Sequence, residues 1–474
     1  MELAELLILV VLLCYLGGVA TAVYAIMNMR SAQGASAWVV GLLLFPFLVV
    51  PLYWIFERNK FKGYVTARRS ENSAVRDLLE QSRLDFVKEC RVPEDGDYPQ
   101  VLRAMENIGL QPLTGHNHLE LLIDGEATFA SMFAAMDEAR DYLLVQFYIV
   151  GDDGIGGELR DRMIARARDG IRVYFVYDVI GSSVTEEYAR RLREAGVEVN
   201  PFKAVGRGKL HVNFRNHRKI VVVDGHTAFL GGMNVADMHL SRKPSMSPWR
   251  DTHLKITGPA ALAAQLTFLE DWYWGAGALP DLNWRPVPAE GPDTRVLVLP
   301  SGPADDLETC ALFFHHLITS ARKRLWITSP YFVPDRAVQV ALQMAALRGV
   351  DVRILIPRIS DSVLVKYAVH AFFPDFIPVG VKLYWYRRGF VHQKIMLVDD
   401  DLATVGTANL DNRSLRLNFE VVALVADAHF AGEVEAMLER DFDNADPVKL
   451  EDYTERNFFI RLAAKSARLL APIL

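Results

Sequence analysis

The chain has 474 residues, enough for two domains or for one duplicated domain with an appendage. Its formal net charge of −6 argues against a general nucleic-acid binder, whose affinity comes from cations set against phosphates. The three cysteines, Cys14, Cys90 and Cys310, show no metal-ligand or paired spacing, so they read as free thiols in a reducing compartment and no zinc site is expected.

No charged residue occurs from Leu6 to Met29 or from Ser31 to Phe56. Each run is long enough to cross about 30 Å of hydrocarbon as a helix, so two transmembrane helices are expected within residues 1–56. Tyr24, Trp38, Tyr53 and Trp54 lie near the ends of the runs, where interfacial aromatics belong. A signal peptide is disfavoured, because Glu2 and Glu5 stand where lysine or arginine is needed and a second run follows directly. Only Arg30 separates the runs, whereas Arg58, Lys60, Lys62, Arg68 and Arg69 follow the second. The positive-inside rule then places everything after Phe56 in the cytoplasm, with Arg30 outside.

Residues 57–112 read as a polar connector with helical stretches. A repeat follows. In the first half, residues 113–284, helical patterns at Ala127–Ala139 and Leu159–Arg168 alternate with strands at Tyr142–Val150 and Ile171–Tyr177. In the second, residues 296–474, helices at Ala311–Ala321 and Ala337–Leu347 alternate with strands at Leu325–Phe332 and Val350–Ile356. This alternation predicts an α/β sandwich in each half, with the Pro-rich stretch Trp284–Pro303 as the boundary. Gln146-Phe147-Tyr148 and Ser329-Pro330-Tyr331 occupy corresponding places, where Tyr148 and Tyr331 either pack in the core or line a site.

Each half carries one copy of a short pattern. The first is His217-Arg218-Lys219, four residues, Asp224, then Gly231-Gly232-Met233-Asn234. The second is His392-Gln393-Lys394, four residues, Asp399, then Gly406-Thr407-Ala408-Asn409. A histidine can attack phosphorus, and a neighbouring lysine can neutralise phosphate oxygens. Two copies supply one histidine to attack and another to protonate the leaving group. Ile220–Val223 and Ile395–Val398 read as buried strands, so His217 and Lys219 share one face, as do His392 and Lys394. Asp224 and Asp399 fall at odd offsets and are expected to be structural anchors within this catalytic set. Downstream, Asp251 and Glu420 are candidates to hold a histidine by its second ring nitrogen, against the alternative of surface salt bridges.

Asn216 to Lys219, Trp249-Arg250-Asp251-Thr252, Gly406 to Asp411 and Asn418-Phe419-Glu420 resemble the phospholipase D superfamily and, within it, the bacterial cardiolipin synthases. The resemblance extends to the N-terminal apolar runs. It departs mildly at Gly232, where many superfamily members have serine. It implies two tandem phospholipase D-like domains after two transmembrane helices, in the bacterial inner membrane. The implied reaction joins two phosphatidylglycerol molecules into cardiolipin with release of glycerol, without metal or other cofactor and without nucleic acid. By analogy His217 attacks first, His392 acts as acid and then base, and Lys219, Lys394, Asn234 and Asn409 hold the phosphate. The basic amphipathic tail Glu455–Leu474 fits either an anionic leaflet or the protein surface, and the apolar segment Ala371–Ile377 either a membrane-dipping loop or core. A hydrolase of the same superfamily, a nuclease and a non-catalytic membrane scaffold are the competing readings. Both intact His–Lys pairs weigh against the scaffold.

Overall fold

The computed structural model describes residues 3–29, 32–56, 90–93, 98–203, 205–206, 209–210 and 214–471. The chain divides into two compact units. One comprises Met1–Val65 with Ala204–Phe214, the other Thr66–Lys203 with Arg215–Leu474.

Among the described residues of the first unit, one helix is long and apolar enough to cross a membrane, with its apolar span at Glu5–Asn28. The second uncharged run differs from its expectation. It forms two shorter helices, Ala32–Leu44 and Pro46–Phe56, divided at Phe45. Pro46 has no N–H to continue the ladder, and its ring clashes with the preceding turn, so the helix breaks there. The two pieces fold back on each other. Trp38 and Tyr53 meet edge to face at 5.3 Å, and a side chain on Gly41 would touch Val49. Both pack on the first helix, where a Cβ on Gly18 would collide with the Leu42 carbonyl. A charge count registers none of this, whereas Pro46 is visible in the sequence.

The second unit is built on one 16-stranded sheet. Its centre is the antiparallel pair Thr114–Ile123 and Thr294–Ser301. Outward through the first half run Thr252–Thr257, Thr227–Gly231, Ile220–Val223, Tyr142–Phe147, Arg172–Asp178 and Glu198–Phe202. Outward through the second run Asn418–Ala426, Leu402–Gly406, Ile395–Val398, Arg324–Thr328, Asp351–Pro357 and Lys382–Tyr386. The two sequences correspond strand for strand, so the repeat is structural as well as chemical. The stretch expected as a boundary instead supplies a central strand, because Val296, Leu297, Val298 and Leu299 are buried between the halves.

Most of the connector 57–112 lies outside the described residues. Its end does not act as a polar tether. The helix Pro99–Gly109 buries Leu102 and Met105 in the second half's core, beside Leu299 and Phe313. Helices flank the sheet near their expected places: Asp124–Asp137 and Gly154–Arg168 in the first half, Thr309–Ser320 and Arg336–Leu347 in the second. Phe372, Phe373 and Phe376 are fully buried, so the Ala371–Ile377 segment is core.

Candidate active site

Each motif histidine sits just before a buried strand, Ile220–Val223 or Ile395–Val398. The strands begin one residue after Lys219 and Lys394. Both lysines therefore belong to the approach to the strand, and each folds back so that its Nζ donates to the histidine carbonyl two residues earlier: Lys219 to His217 at 2.6 Å, Lys394 to His392.

The approach segments cross between the halves. Arg215–Asn216 pairs in parallel with Asn418-Phe419, and Trp249–Arg250 pairs in parallel with Phe390–Val391. The His217 N–H donates to the Phe419 carbonyl at 2.9 Å, and the His392 N–H donates to the Arg250 carbonyl at 2.7 Å. One further residue along each partner strand is a carboxylate. His217 Nδ1 lies 2.9 Å from Glu420, and His392 Nδ1 lies 2.7 Å from Asp251. Each histidine is thus held by a carboxylate from the opposite half. With the Nδ1 proton donated to the carboxylate, the neutral imidazole keeps its lone pair on Nε2.

The two holders differ. Glu420 also accepts from Thr407 Oγ1 at 2.6 Å, Ser414 Oγ at 2.8 Å and Asn418 Nδ2 at 3.1 Å. Asp251 accepts from the Thr252 N–H at 2.8 Å. Gly232 stands where the second copy has Thr407, and a Cβ there would lie 2.1 Å from Asp251 Oδ1. The glycine leaves room for the carboxylate, which accounts for the departure from serine.

Asp224 and Asp399 lie away from the histidines. Both adopt left-handed backbone at φ 52°, which aspartate tolerates better than most residues. The Asp224 carboxylate accepts from the N–H groups of Arg140, Asp141 and Tyr142 at 2.8–2.9 Å. Asp399 accepts from those of Arg322, Lys323 and Arg324 at 2.6–3.1 Å, and from the Tyr98 hydroxyl. Each closes the turn after the motif strand onto the start of its neighbour.

Asn234 and Asn409 are buried. Asn234 Oδ1 accepts from the Ile149 N–H at 3.1 Å, which fixes its amide. Among the described residues Asn409 Oδ1 has no hydrogen-bond partner, an orphan that a bound group would relieve after a half-turn of the amide. Tyr148 does line the site, with its ring meeting His217 at 4.9 Å and the Lys219 ammonium 5.5 Å from its centroid. Tyr331 donates to Asp361.

Beside Trp249, which belongs to the Trp249-Arg250-Asp251-Thr252 motif, several site residues had no motif to announce them. The Trp249 ring lies 5.0 Å from His392, and the His239 ring 6.5 Å. Arg215 hydrogen-bonds Tyr148, and Arg413 lies within electrostatic reach of both. Arg218 is a structural clamp, pairing with Asp271 at 2.9 Å and donating to the Glu420 and Ser301 carbonyls.

Charge in the centre follows from burial. Burial lowers His217 to about 4; Glu420 opposes this, while Lys219 and Lys394 add to it. His392 is lowered well below the usual histidine value by burial, then by Lys394, Lys219 and His217. Burial likewise brings Lys219 down to about 7 and Lys394 to about 8, against the pull of Glu420 and Asp251. Burial therefore favours the neutral form of both histidines, and both lysines titrate near neutrality. Among the described residues no group of three or more His, Cys, Asp or Glu has metal-holding geometry.

A family model described as cardiolipin synthase, PLD-like domain, matches residues 132–247 and 314–442, one copy over each motif. The chain belongs to the cardiolipin synthase family. It is 45% identical over 469 residues to cardiolipin synthase A of Pseudomonas entomophila (strain L48), covering 98% of this chain and 97% of that one. It is also 45% identical over 465 residues to the protein of the same name from Pseudomonas aeruginosa (strain UCBPP-PA14), covering 96% and 94%. Among solved structures, phosphatidylserine synthase of Haemophilus influenzae Rd KW20 superposes with a TM-score of 0.60 at 16% identity. It covers 79% of this chain and 100% of that one, a likeness of fold. With this family's two phospholipase D-like halves, the chain is a phosphatidyltransferase, and its N-terminal apolar helix accords with a membrane-associated enzyme of phospholipid.

Proposed function

We propose that the enzyme transfers the phosphatidyl group of one phosphatidylglycerol to the terminal hydroxyl of another, giving cardiolipin and glycerol. The observation that carries this reading is the meeting of both His–Lys pairs in one buried centre, each histidine held by a carboxylate of the other half. In the first step His217 Nε2 bonds to phosphorus, the bond to the glycerol oxygen breaks, and His392 gives that oxygen a proton. In the second, His392 takes the proton of the incoming hydroxyl, whose oxygen bonds to phosphorus and releases His217. Lys219, Lys394, Asn234 and Asn409 surround the phosphate oxygens, where fixed donors and charge stabilise the transition state. The cations that depress His392 are the ones a bound phosphodiester neutralises, so substrate binding itself raises that histidine toward its acid role.

Incubating the purified protein with phosphatidylglycerol and resolving the lipids by mass spectrometry tests the assignment. Cardiolipin with equimolar glycerol is expected. Phosphatidic acid as the main product would instead make the enzyme a hydrolase.

The lysines give a pH dependence. A lysine lowered to about 7 or 8 is charged below that value and neutral above it. The catalytic efficiency on phosphatidylglycerol in detergent micelles is therefore expected to fall as pH rises through 7 to 8. A flat profile to pH 9.5 would mean that the lysine charges do not bind substrate.

The helix Leu3–Asn28 crosses the inner membrane once, and the folded pair Ala32–Leu44 and Pro46–Phe56 enters and leaves by one face, in place of a second span. At the tip the Phe45 N–H donates to the Gly41 carbonyl, and Pro46 has no N–H to leave unpaired. Arg30 then falls on the same side as Arg58, Lys60 and Lys62, so the positive-inside rule puts them all in the cytoplasm and Glu2 and Glu5 outside. A periplasm-active reporter fused to the N-terminus and a cytoplasm-active one at the C-terminus are both expected to be on. An N-terminal reporter active only in the cytoplasm would restore two full spans.

A further inference from the structure

A cavity of about 500 Å3 lies in the second half between the strand Asp351–Pro357, the helix Val363–His370 and the terminal helix Phe458–Leu469. It is distinct from the catalytic centre, and its walls are divided by chemistry. The floor is apolar, with Ile356, Val365, Val369 and Ala464 all buried. The rim is cationic, with Arg358, Lys366 and Arg456 exposed, and among its described residues Asp452 is the lone carboxylate. Arg358 is paired with Asp446 at 2.6 Å, whereas Lys366 has no ion-pair partner among the described residues. A volume of this size falls in the roughly 300–1,000 Å3 of small-ligand sites.

The terminal helix forms one wall and continues outward as an apolar surface. Its inner face is fixed by buried Ala464 and Ala467. Arg468 pairs with Asp375 at 2.7 Å and donates to the Ala371 carbonyl at 3.0 Å. Its outer face leaves Phe459 77% and Leu469 80% exposed, with Phe458 and Leu462 beside them. A packed helix that holds such groups in water, with Arg461 and Lys465 along it, has the composition of an interfacial helix on an anionic leaflet. On the catalytic side, the cavity residues Pro330 and Ser360 adjoin Tyr331 and Asp361 in the chain. Those two are hydrogen-bonded to each other, and Asp361 is among the charges acting on Lys394.

We infer that this cavity binds one anionic glycerophospholipid drawn from the leaflet under the terminal helix, with its phosphate on the Arg358, Lys366 and Arg456 rim and an acyl chain on the apolar floor. A free phosphate would use the rim and leave the floor bare, and a neutral lipid would use the floor and leave the rim uncompensated. The site rests on the phospholipid reading of the function only for the identity of the headgroup.

Photolabelling reads occupancy without turnover. The full-length protein in detergent micelles is given a trace of phosphatidylglycerol with a diazirine at the end of one acyl chain, irradiated, and mapped by peptide mass spectrometry. Adducts are expected within 356–369 and 460–464, competed by unlabelled phosphatidylglycerol but not by phosphatidylcholine or inorganic phosphate. Lys366→Glu on the rim and Val369→Trp on the floor are each expected to cut adduct yield about tenfold. Lys366 is exposed, so its reversal keeps the test decisive if the tryptophan variant fails to fold. Adducts confined to Phe458, Phe459, Leu462 and Leu469 would overturn the inference, because the lipid would then touch only the outer face. Equal competition by phosphatidylcholine or full competition by phosphate would overturn it too. A chain that labels as expected yet makes no cardiolipin would separate failure of the proposed function from failure of this site.

Discussion

Replacing His217 or His392 by alanine, one at a time, is expected to lower turnover by about 10⁴-fold or more without unfolding the chain. The fold is expected to survive because the carboxylate that holds each imidazole keeps another donor, although the His392 ring also rests on Trp249 and Phe390. Glu420 keeps Thr407, Ser414 and Asn418 as donors after His217 is lost, and Asp251 keeps the Thr252 N–H after His392 is lost. The chemistry does not survive, because each histidine has its own bond to make or proton to move. A phosphatidyl substrate with a leaving group better than glycerol separates the two roles, since it departs without a proton. His392→Ala should then accumulate phosphatidyl label on His217, and His217→Ala should accumulate none. The adduct is an acid-labile phosphoramidate, so it has to be trapped at neutral or alkaline pH. Label on His392 alone would reverse the roles. Absence of label from both variants, beside an active wild type, would replace the covalent path by direct transfer between lipids.

The candidate residues of this site were more legible in the sequence than their assembly. Spacing singled out His217, Lys219, His392 and Lys394 because a short polar group before a buried β-branched strand is a local pattern that occurs twice, and the fold gathers all four in one buried centre. Strand parity also set Asp224 and Asp399 apart, and they bind turn amides away from the histidines. The exchange of carboxylates could not be read. Asp251 follows His217 in the chain but holds His392, because Trp249–Arg250 pairs with Phe390–Val391, and such long-range pairing has no local signature. The same holds for Trp249 and His239, which reach His392 only through the fold. The strand Thr294–Ser301 was hidden among prolines that marked a boundary, although its four central residues are apolar enough to be buried. The break at Phe45 had a signal in Pro46, masked by hydropathy that treats proline as one more uncharged residue.

That exchange supplies the second large effect. Glu420→Gln and Asp251→Asn are each expected to lower turnover about 10²- to 10⁴-fold, acting on the histidine of the other half. The amide is nearly isosteric, but it can turn an N–H toward Nδ1. The imidazole would then carry its proton on Nε2, where His217 has no lone pair for phosphorus and His392 cannot accept from the incoming hydroxyl. In Glu420→Gln, Thr407, Ser414 and Asn418 all point donors at the same group, so one meets an N–H and stability falls by about 1–3 kcal/mol. A thermal melt measures that loss apart from the chemistry. The two variants should then diverge. With the activated substrate, Glu420→Gln is expected to load slowly, because its defect lies on His217. Asp251→Asn is expected to load at near the wild-type rate and to release its phosphatidyl group slowly, because its defect lies on His392. A merely structural role would slow both steps alike in both variants. Turnover within about threefold of wild type in either variant would show that orientation by the opposite half is not part of catalysis, since a misplaced proton on Nε2 slows the step by orders of magnitude.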